Sequence, residues 1–325
     1  MRALGITALV ASAAIFVASE AQAQLSCSPR PGLTTCLPAD NLWPSARGPF
    51  TWLASANAPN PKSVSFNMTT SWVYRPIGMT VSSAAPEGTT HYPVEHAVSV
   101  HLLASLGVTS RLSFDVAAPM TVHQSGAGLG FLTGSDAPLP RSASGELRFG
   151  PSYALMHRDR VDLAARFQIV APTGTHDAFA TFGSATFAPG LSAAYRFCRF
   201  RFGADVGARI RKAVELADAL VGTQVTVGAG AAYDILPNGG LTLGAEAFGL
   251  IGVDSQPPIG GNAGDEDSAT RTLIPAEWHV SFATGRAMDG KLRLRVGMGG
   301  AIPTGATSDV TAPALRTVGS ISFTP

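Results

Sequence analysis

The feature that most constrains this chain is a period-two alternation of apolar and polar residues between positions 146 and 174. Its apolar members are Leu147, Phe149, Pro151, Tyr153 and Leu155, followed by Val161, Leu163, Ala165, Phe167 and Ile169. Successive side chains of a β-strand point to opposite faces, so each half predicts a strand with one apolar and one polar face. The charged residues 157–160 separate the halves, which predicts a tight turn and an antiparallel hairpin.

The same pattern recurs along most of the chain. Twelve segments carry it: 63–74, 96–106, 111–120, 145–155, 161–171, 187–197, 199–210, 221–232, 240–251, 274–285, 291–302 and 314–323. The links between them alternate between long and short. An even number of strands of about ten residues, with long links at one end and short turns at the other, is typical of a transmembrane β-barrel. The sequence therefore predicts an all-β fold, a single antiparallel transmembrane barrel of about 12 strands.

The composition agrees with a barrel and excludes some other classes. Charged residues make up 14% of the chain, against about 25% in ordinary soluble domains. The formal net charge of +1 gives no reason to expect a nucleic-acid partner. The seven histidines are scattered and the three cysteines have no metal-site spacing, so no cofactor is expected.

The sequence divides into three parts. Residues 1–23 have a positive start, an apolar run and a small-x-small site at 21–23, which predicts a cleaved secretory signal peptide. Residues 24–62 are rich in proline and read as an irregular arm, for which two interpretations stay open: a plug in the barrel mouth, or a poorly ordered tail. Residues 63–325 form the predicted barrel.

Two cysteines fall in this exported arm. Cys27 and Cys36 are close in sequence, and an oxidising compartment favours a small disulfide loop between them. Cys198 stands alone at a predicted tight turn. Gln24, three residues before Cys27, does not suit a lipoprotein signal.

The exits of two strands suggest a family. Ile169-x-x-Pro172-Thr173-Gly174 and Ile302-Pro303-Thr304-Gly305 both stand where a strand enters a long link. With the hairpin pattern and the signal peptide, the chain resembles Gram-negative outer-membrane β-barrel proteins. It is similar to channel-type transporters of the phenol and hydrocarbon-pathway class, and to the barrel part of OmpA-type proteins. The resemblance implies the outer membrane as location, with its lipid and the barrel-assembly machinery as partners.

Two features depart from that family pattern. Barrels of this kind end in an aromatic residue, whereas here Phe323 is followed by Thr324 and Pro325. No peptidoglycan-binding domain follows the predicted barrel, so no cell-wall anchoring role is expected.

Strand parity assigns the charged residues to the lumen. An Arg or Lys facing lipid at mid-membrane costs about 2–4 kcal/mol, so the polar face must point inward. The lumen-lining candidates are Arg148, Arg166, Arg199, Arg201, Asp205, Arg209, Glu246, Glu277, His279, Arg293 and Arg295. Two interpretations stay open: cross-strand ion pairs that fill the barrel, or an arginine-rich polar pathway that favours anions.

The predicted function is a passive channel or transporter for small solutes. An envelope-stabilising barrel without an open pore is the main alternative, since it needs the same strands. A lipid hydrolase is a remote alternative, because His279 and Ser281 share one face of a strand with Glu277. Lipid-acting enzymes of this type work at the outer wall, whereas parity places His279 in the lumen, so no catalytic residues are assigned.

Overall fold

The protein is a closed antiparallel barrel of twelve strands. The computed structural model describes residues 33–81, 89–134, 138–216, 219–236, 240–253, 273–284, 291–304 and 311–324. The strands are β1 (Val64–Val81), β2 (Thr89–Gly107), β3 (Leu112–Ser125), β4 (Ala143–Ser144), β5 (Arg148–His157), β6 (Val161–Val170), β7 (Thr186–Phe197), β8 (Phe200–Arg209), β9 (Val214–Leu216), β10 (Ala219–Val221), β11 (Gln224–Asp234), β12 (Leu241–Gly252), β13 (Ala276–Thr284), β14 (Leu292–Ala301) and β15 (Leu315–Phe323), with one short helix, α1 (Gly130–Thr133).

Each barrel strand pairs with its neighbours in sequence, and β1 closes the barrel against β15. The closing ladder runs without interruption from Phe66 opposite Phe323 to Tyr74 opposite Leu315. β4 adds a short pairing to β3, and β9 and β10 form a separate hairpin. The predicted all-β barrel is therefore confirmed, and all twelve predicted segments overlap barrel strands.

The outer surface of the barrel is apolar. Phe202, Val206 and Trp278 are 42%, 48% and 41% exposed, and many other large apolar side chains on the same face are similarly open. A soluble protein rarely exposes an apolar surface of this extent. The exposed band alternates residue by residue with buried side chains such as Asp205 and His279, as the period-two pattern requires.

The first hairpin is longer than the sequence predicts. We expected a link over residues 75–95, but β1 continues to Val81 and β2 begins at Thr89. Proline at 76 and 93 argues against a regular strand there. The ladder accommodates them through register shifts after Tyr74 and Ile77, and Arg75 adopts a positive φ of 50°. Register shifts interrupt the period-two alternation in a ladder of this kind, so the sequence does not predict the extension of β1 and β2.

The long links form an apolar cover over one end of the barrel, called here the loop end. Side chains of the arm, of the extended first hairpin and of four links pack in one cluster: Leu37, Ala39, Val73, Ile77, Met79, Val94, Ala97, Leu129, Phe179, Phe182, Leu216, Val221 and Leu273. The β9–β10 hairpin and the segment around α1 contribute to it. The end with the tight turns is called the turn end.

No helix in the described ranges has the length and apolar character to span a bilayer.

A charge on the outer face should impair the barrel. Val206 lies in the middle of β8 between Leu191 and Val227, and 48% of its surface is exposed. We expect Val206→Arg to lower the free energy of unfolding in lipid vesicles by about 2–4 kcal/mol, because the guanidinium would face hydrocarbon. Urea titration followed by gel heat-modifiability measures this, with Val206→Ile as the apolar control. Equal stability of the two variants would show that the side chain of Val206 faces the lumen and not lipid.

Candidate functional site: a lumen occupied by the N-terminal arm

Residues 33–62 run through the barrel from the loop end to the turn end. Near its start, the N–H of Ala39 donates to the carbonyl of Phe179 at 2.8 Å, within the cover. At its end, the N–H of Lys62 donates to the carbonyl of Gly107 at 2.7 Å, at the β2–β3 turn. This described part of the arm contains no helix and no regular strand. Its backbone must therefore find hydrogen-bond partners on the barrel wall.

Glu246 on β12 holds the middle of the arm. Its carboxylate accepts three backbone N–H groups, from Thr51 at 2.9 Å, Trp52 at 3.0 Å and Leu53 at 3.2 Å. Glu246 is 6% exposed, so these charge-assisted bonds form away from water, where such bonds are strong. The carboxylate thus takes the place that a neighbouring strand would have.

Arg295 on β14 holds the carbonyl groups of the same stretch. Its Nη1 donates to the carbonyl of Phe50 at 2.6 Å, and its Nη2 donates to that of Gly48 at 3.1 Å. One acid and one base on the wall therefore satisfy donors and acceptors of one short piece of arm. Loss of either partner would leave buried backbone groups without hydrogen bonds, which costs about 1–3 kcal/mol each.

The wall beneath this stretch is built of glycine. A Cβ on Gly203 would lie 2.6 Å from Phe50 Cε2, and one on Gly228 would lie 2.2 Å from Trp52 Cζ3. Gly230 is similarly close to Leu53. These three glycines leave the space that the apolar side chains of the arm occupy. Trp52 of the arm also stacks against Phe248 on β12.

A second attachment lies closer to the loop end. Arg316 on β15 is fully buried and binds Glu277 through two bonds, Nε to Oε2 at 2.7 Å and Nη2 to Oε1 at 3.0 Å. Its Nη1 donates at 2.7 Å to Asp40 of the arm. His101 lies 3.8 Å from the other oxygen of Asp40. A buried guanidinium shared by two carboxylates fixes the arm to the wall through geometry that lysine does not reproduce.

Three cavities follow the arm inside the barrel. The middle cavity, about 70 Å³, meets an upper cavity of about 50 Å³ at Trp43 and Arg148. It meets a lower cavity of about 190 Å³ at Arg47 and Ser55. The lower cavity is lined by Arg47, Lys291 and Arg293, and no carboxylate lines it among the described residues. The cavities therefore form a chain along the arm in which the upper cavity is lined by Asp40 and Glu146 with Arg148, and the middle and lower cavities have an excess of cations.

The charged candidates have distinct positions in the barrel. Arg166 pairs with Asp205, and Arg201 pairs with Asp234 near the turn end. Arg148, Arg209, Glu246, Glu277, His279 and Arg295 are buried inside, Arg293 is half-buried, and Arg199 is exposed at the β7–β8 turn. Cross-strand pairing thus accounts for some of these residues and arm binding for others. Arg148 and Arg209 form no ion pair with a described carboxylate.

Sequence reasoning did not find Arg316, Asp40 or Trp43. Arg316 shares the parity of buried Val318 and Ser320, opposite to outward-facing Ile321, so the period-two pattern held the signal. Asp40 and Trp43 lie in the irregular arm, where no period exists to assign a direction.

Glu146, between β4 and β5, binds a neighbouring link. Its Oε1 accepts the N–H of Phe182 at 2.7 Å and the hydroxyl of Thr181 at 2.8 Å. Burial raises the pKa of Glu146 above its ordinary value, although these bonds and nearby Arg211 oppose the shift. The side chain therefore ties the 181–182 link to the wall beside Arg148.

The His279–Ser281 pair points into the lumen. His279 and Ser281 are 3% and 7% exposed, and His279 lies 3.4 Å from Glu277, whose carboxylate is already bound by Arg316. The residues are on the opposite face from Trp278, which is exposed on the outer surface. No group of three or more potential metal ligands occurs within the described ranges.

Cys36 is disulfide-bonded, and Cys198 is free and exposed. Cys27, the partner predicted for Cys36, lies outside the described residues. The pairing stays a prediction.

Solved structures with this fold are outer-membrane channels and porins. An outer membrane channel from Pseudomonas putida F1 aligns over 83% of this chain and 98% of its own, with 13% identity and a TM-score of 0.57. The toluene transporter TbuX from Ralstonia pickettii aligns over 81% and 90%, with 8% identity and a TM-score of 0.43. The KdgM porin aligns over 80% and 98%, with 9% identity and a TM-score of 0.43. No protein-family model and no curated protein matches the sequence. The chain therefore has the fold of outer-membrane channel barrels.

Filling the glycine wall should destabilise the arm. Gly228→Ala places a Cβ against the Trp52 ring, and overpacking of this kind costs about 1–3 kcal/mol. Gly249→Ala is the matched control, because its Cβ would have no atom closer than 3.8 Å. Urea unfolding in detergent, followed by tryptophan fluorescence, compares them. Equal midpoints would show that Trp52 does not pack on this wall.

Loss of the Glu246 carboxylate should release the arm. In Glu246→Ala the three N–H groups of residues 51–53 lose their acceptor, and trypsin should cut after Arg47 much faster than in the wild type. Fragment masses after timed digestion give the cleavage rate. Glu215→Ala, which removes an exposed carboxylate on β9, serves as control. Unchanged cleavage at Arg47 in Glu246→Ala would contradict the assigned attachment.

Proposed function

We propose that this protein is an outer-membrane channel for small solutes in which the arm narrows the lumen. The observation that carries the proposal is the chain of three cavities along residues 38–63, which mixes apolar and polar lining and has an excess of cations in its middle and lower parts. Hydrophobic packing alone would not leave such a chain, because protein interiors are close-packed with few voids larger than a water molecule. The channel fold of the structural neighbours supports the same conclusion.

Passage needs the arm or the cover to move. The cavities are small, and the apolar cover closes over the loop end. The polar attachments to the wall are few, at Glu246, Arg295 and Arg316, beside the apolar packing of Trp52 and its neighbours. Local opening of segments held by few contacts requires much less free energy than global unfolding. The arm is therefore the gate in this proposal, and the barrel wall is its fixed frame.

An envelope barrel without an open pore is the second candidate. The occupation of the lumen by the arm favours it directly, and the two functions differ only in whether solutes pass. No arrangement in the described residues favours hydrolysis over either one, since the His279–Ser281 pair lies away from the lipid-facing surface.

Planar-bilayer recording separates the two candidates. We expect small conductance steps from the intact protein and larger steps from Glu246→Ala, because the released arm would widen the lumen. Arg293→Glu, which inverts a charge in the lower cavity, should shift the ion preference towards cations. Glu215→Ala is the control for added protein and detergent. An absence of conductance from both the intact protein and Glu246→Ala would support the barrel without a pore.

A further inference from the structure

The middle cavity is lined by two arginines that contact the arm but form no ion pair with a described carboxylate. Arg148 on β5 and Arg209 on β8 are 4% and 1% exposed, and both line this cavity. Their guanidinium carbons lie 4.7 Å and 3.8 Å from the centre of the Trp43 ring. The arm therefore brings one aromatic side chain against two guanidinium groups that the barrel sequence places on separate strands.

Both guanidinium groups have unused hydrogen-bond donors. Nη2 of Arg148, and Nε and Nη1 of Arg209, are buried without a hydrogen-bond partner among the described residues. The one hydrogen bond of Arg209 runs from Nη2 to the carbonyl of Asn41, at 3.3 Å. Nε1 of Trp52, which also lines the cavity, is a further buried donor without a described partner.

Asp205 and Glu146, two nearby carboxylates, are engaged elsewhere. Asp205 pairs with Arg166 and accepts the Ser192 hydroxyl at 2.7 Å. Glu146 binds Thr181 and Phe182. Asp115, which also lines the cavity, forms no ion pair among the described residues, and its Oδ1 has no described hydrogen-bond partner. No described carboxylate forms an ion pair with Arg148 or Arg209.

A buried cation without a counter-ion is costly, and each unsatisfied donor adds to that cost. An anion between the two guanidinium groups would lower both contributions. Arginine favours planar carboxylates, which accept two parallel N–H bonds from its fork. Small apolar side chains also line the cavity, at Leu103, Ala117 and Ala188, and Ala117 is the cross-strand neighbour of Arg148. Guanidinium groups beside small apolar side chains fit a short aliphatic acid.

We propose that the middle cavity is a binding site for a short-chain monocarboxylate, with Arg148 and Arg209 binding the carboxylate beside Trp43. This inference rests on the proposed channel function and names the class of solute for it. The cavity of about 70 Å³ suits an acid of a few carbon atoms, since one water needs about 10–15 Å³ by the same measure. The positive lower cavity continues the path of the anion towards the turn end.

Binding is tested without conduction. Purified full-length protein in uncharged detergent is titrated with sodium propionate at constant ionic strength, and heat release and tryptophan fluorescence are followed. Loss of one charged hydrogen bond costs about 1.5–3 kcal/mol, so Arg148→Gln and Arg209→Gln should each weaken binding about tenfold or more. Arg199→Gln is the matched control, because Arg199 is exposed at a turn outside the cavity. It should bind propionate as the wild type does.

Further variants keep the test decisive if a glutamine variant fails to fold. Ala188→Leu fills the cavity without changing a charge, and it should abolish binding while the barrel stays heat-modifiable. Propionate that binds no more tightly than chloride, or inorganic phosphate that binds more tightly than propionate, would overturn the assignment. So would wild-type affinity in folded Arg148→Gln, Arg209→Gln and Ala188→Leu.

The two proposals fail in different ways. Conductance without propionate binding would leave the channel function standing and remove the carboxylate site. Propionate binding that Arg209→Gln abolishes, in a protein that never conducts, would support the site and contradict the channel.

Discussion

The structure depends on wall side chains that satisfy the backbone of a segment without secondary structure. Twelve strands enclose more space than the eight-stranded barrels whose side chains fill their own interior. The arm occupies that space, yet its described residues 33–62 form no helix or regular strand that would pair their N–H and C=O groups. Glu246 and Arg295 supply those partners for residues 48–53, so two charged wall residues act as an acceptor and a donor template.

Different strands of the wall supply the shape and the charge that hold the arm. β8 and β11 present Gly203, Gly228 and Gly230 where the arm's large side chains approach, while β12, β14 and β15 present the charged groups that hold it. Packing of apolar arm side chains against a glycine wall does not fix the orientation of the arm, because dispersion contacts are non-directional. Hydrogen bonds to a few buried charges specify the direction. The position of the arm therefore depends on both surfaces together.

The period-two pattern predicted most of the barrel because both faces of each strand obey a physical constraint. A charge cannot face lipid without cost, so parity placed Arg209 and Glu246 inside and Val206 outside, where the structure has them. The period-two pattern failed in segments that do not have one face against lipid. The extension of β1 beyond Tyr74 passes through a bulge at Arg75, and the path of the arm follows from contacts between residues far apart in sequence, such as Asp40 with Arg316.

Contacts in the structure explain the burial of some arginines inside the barrel and leave the burial of others unexplained. Arg295 and Arg316 use their donors on arm carbonyls and on carboxylates, and Arg166 is neutralised by Asp205. Arg148 and Arg209 are as deeply buried, but they form no ion pair with a described carboxylate, keep donors without described partners and line a cavity, and the one hydrogen bond of Arg209 goes to the carbonyl of Asn41. Buried charge of this kind lowers stability unless something offsets it. A barrel that needed only to be filled would be more stable with apolar residues at these two positions, so their presence argues for a solute that carries the opposite charge.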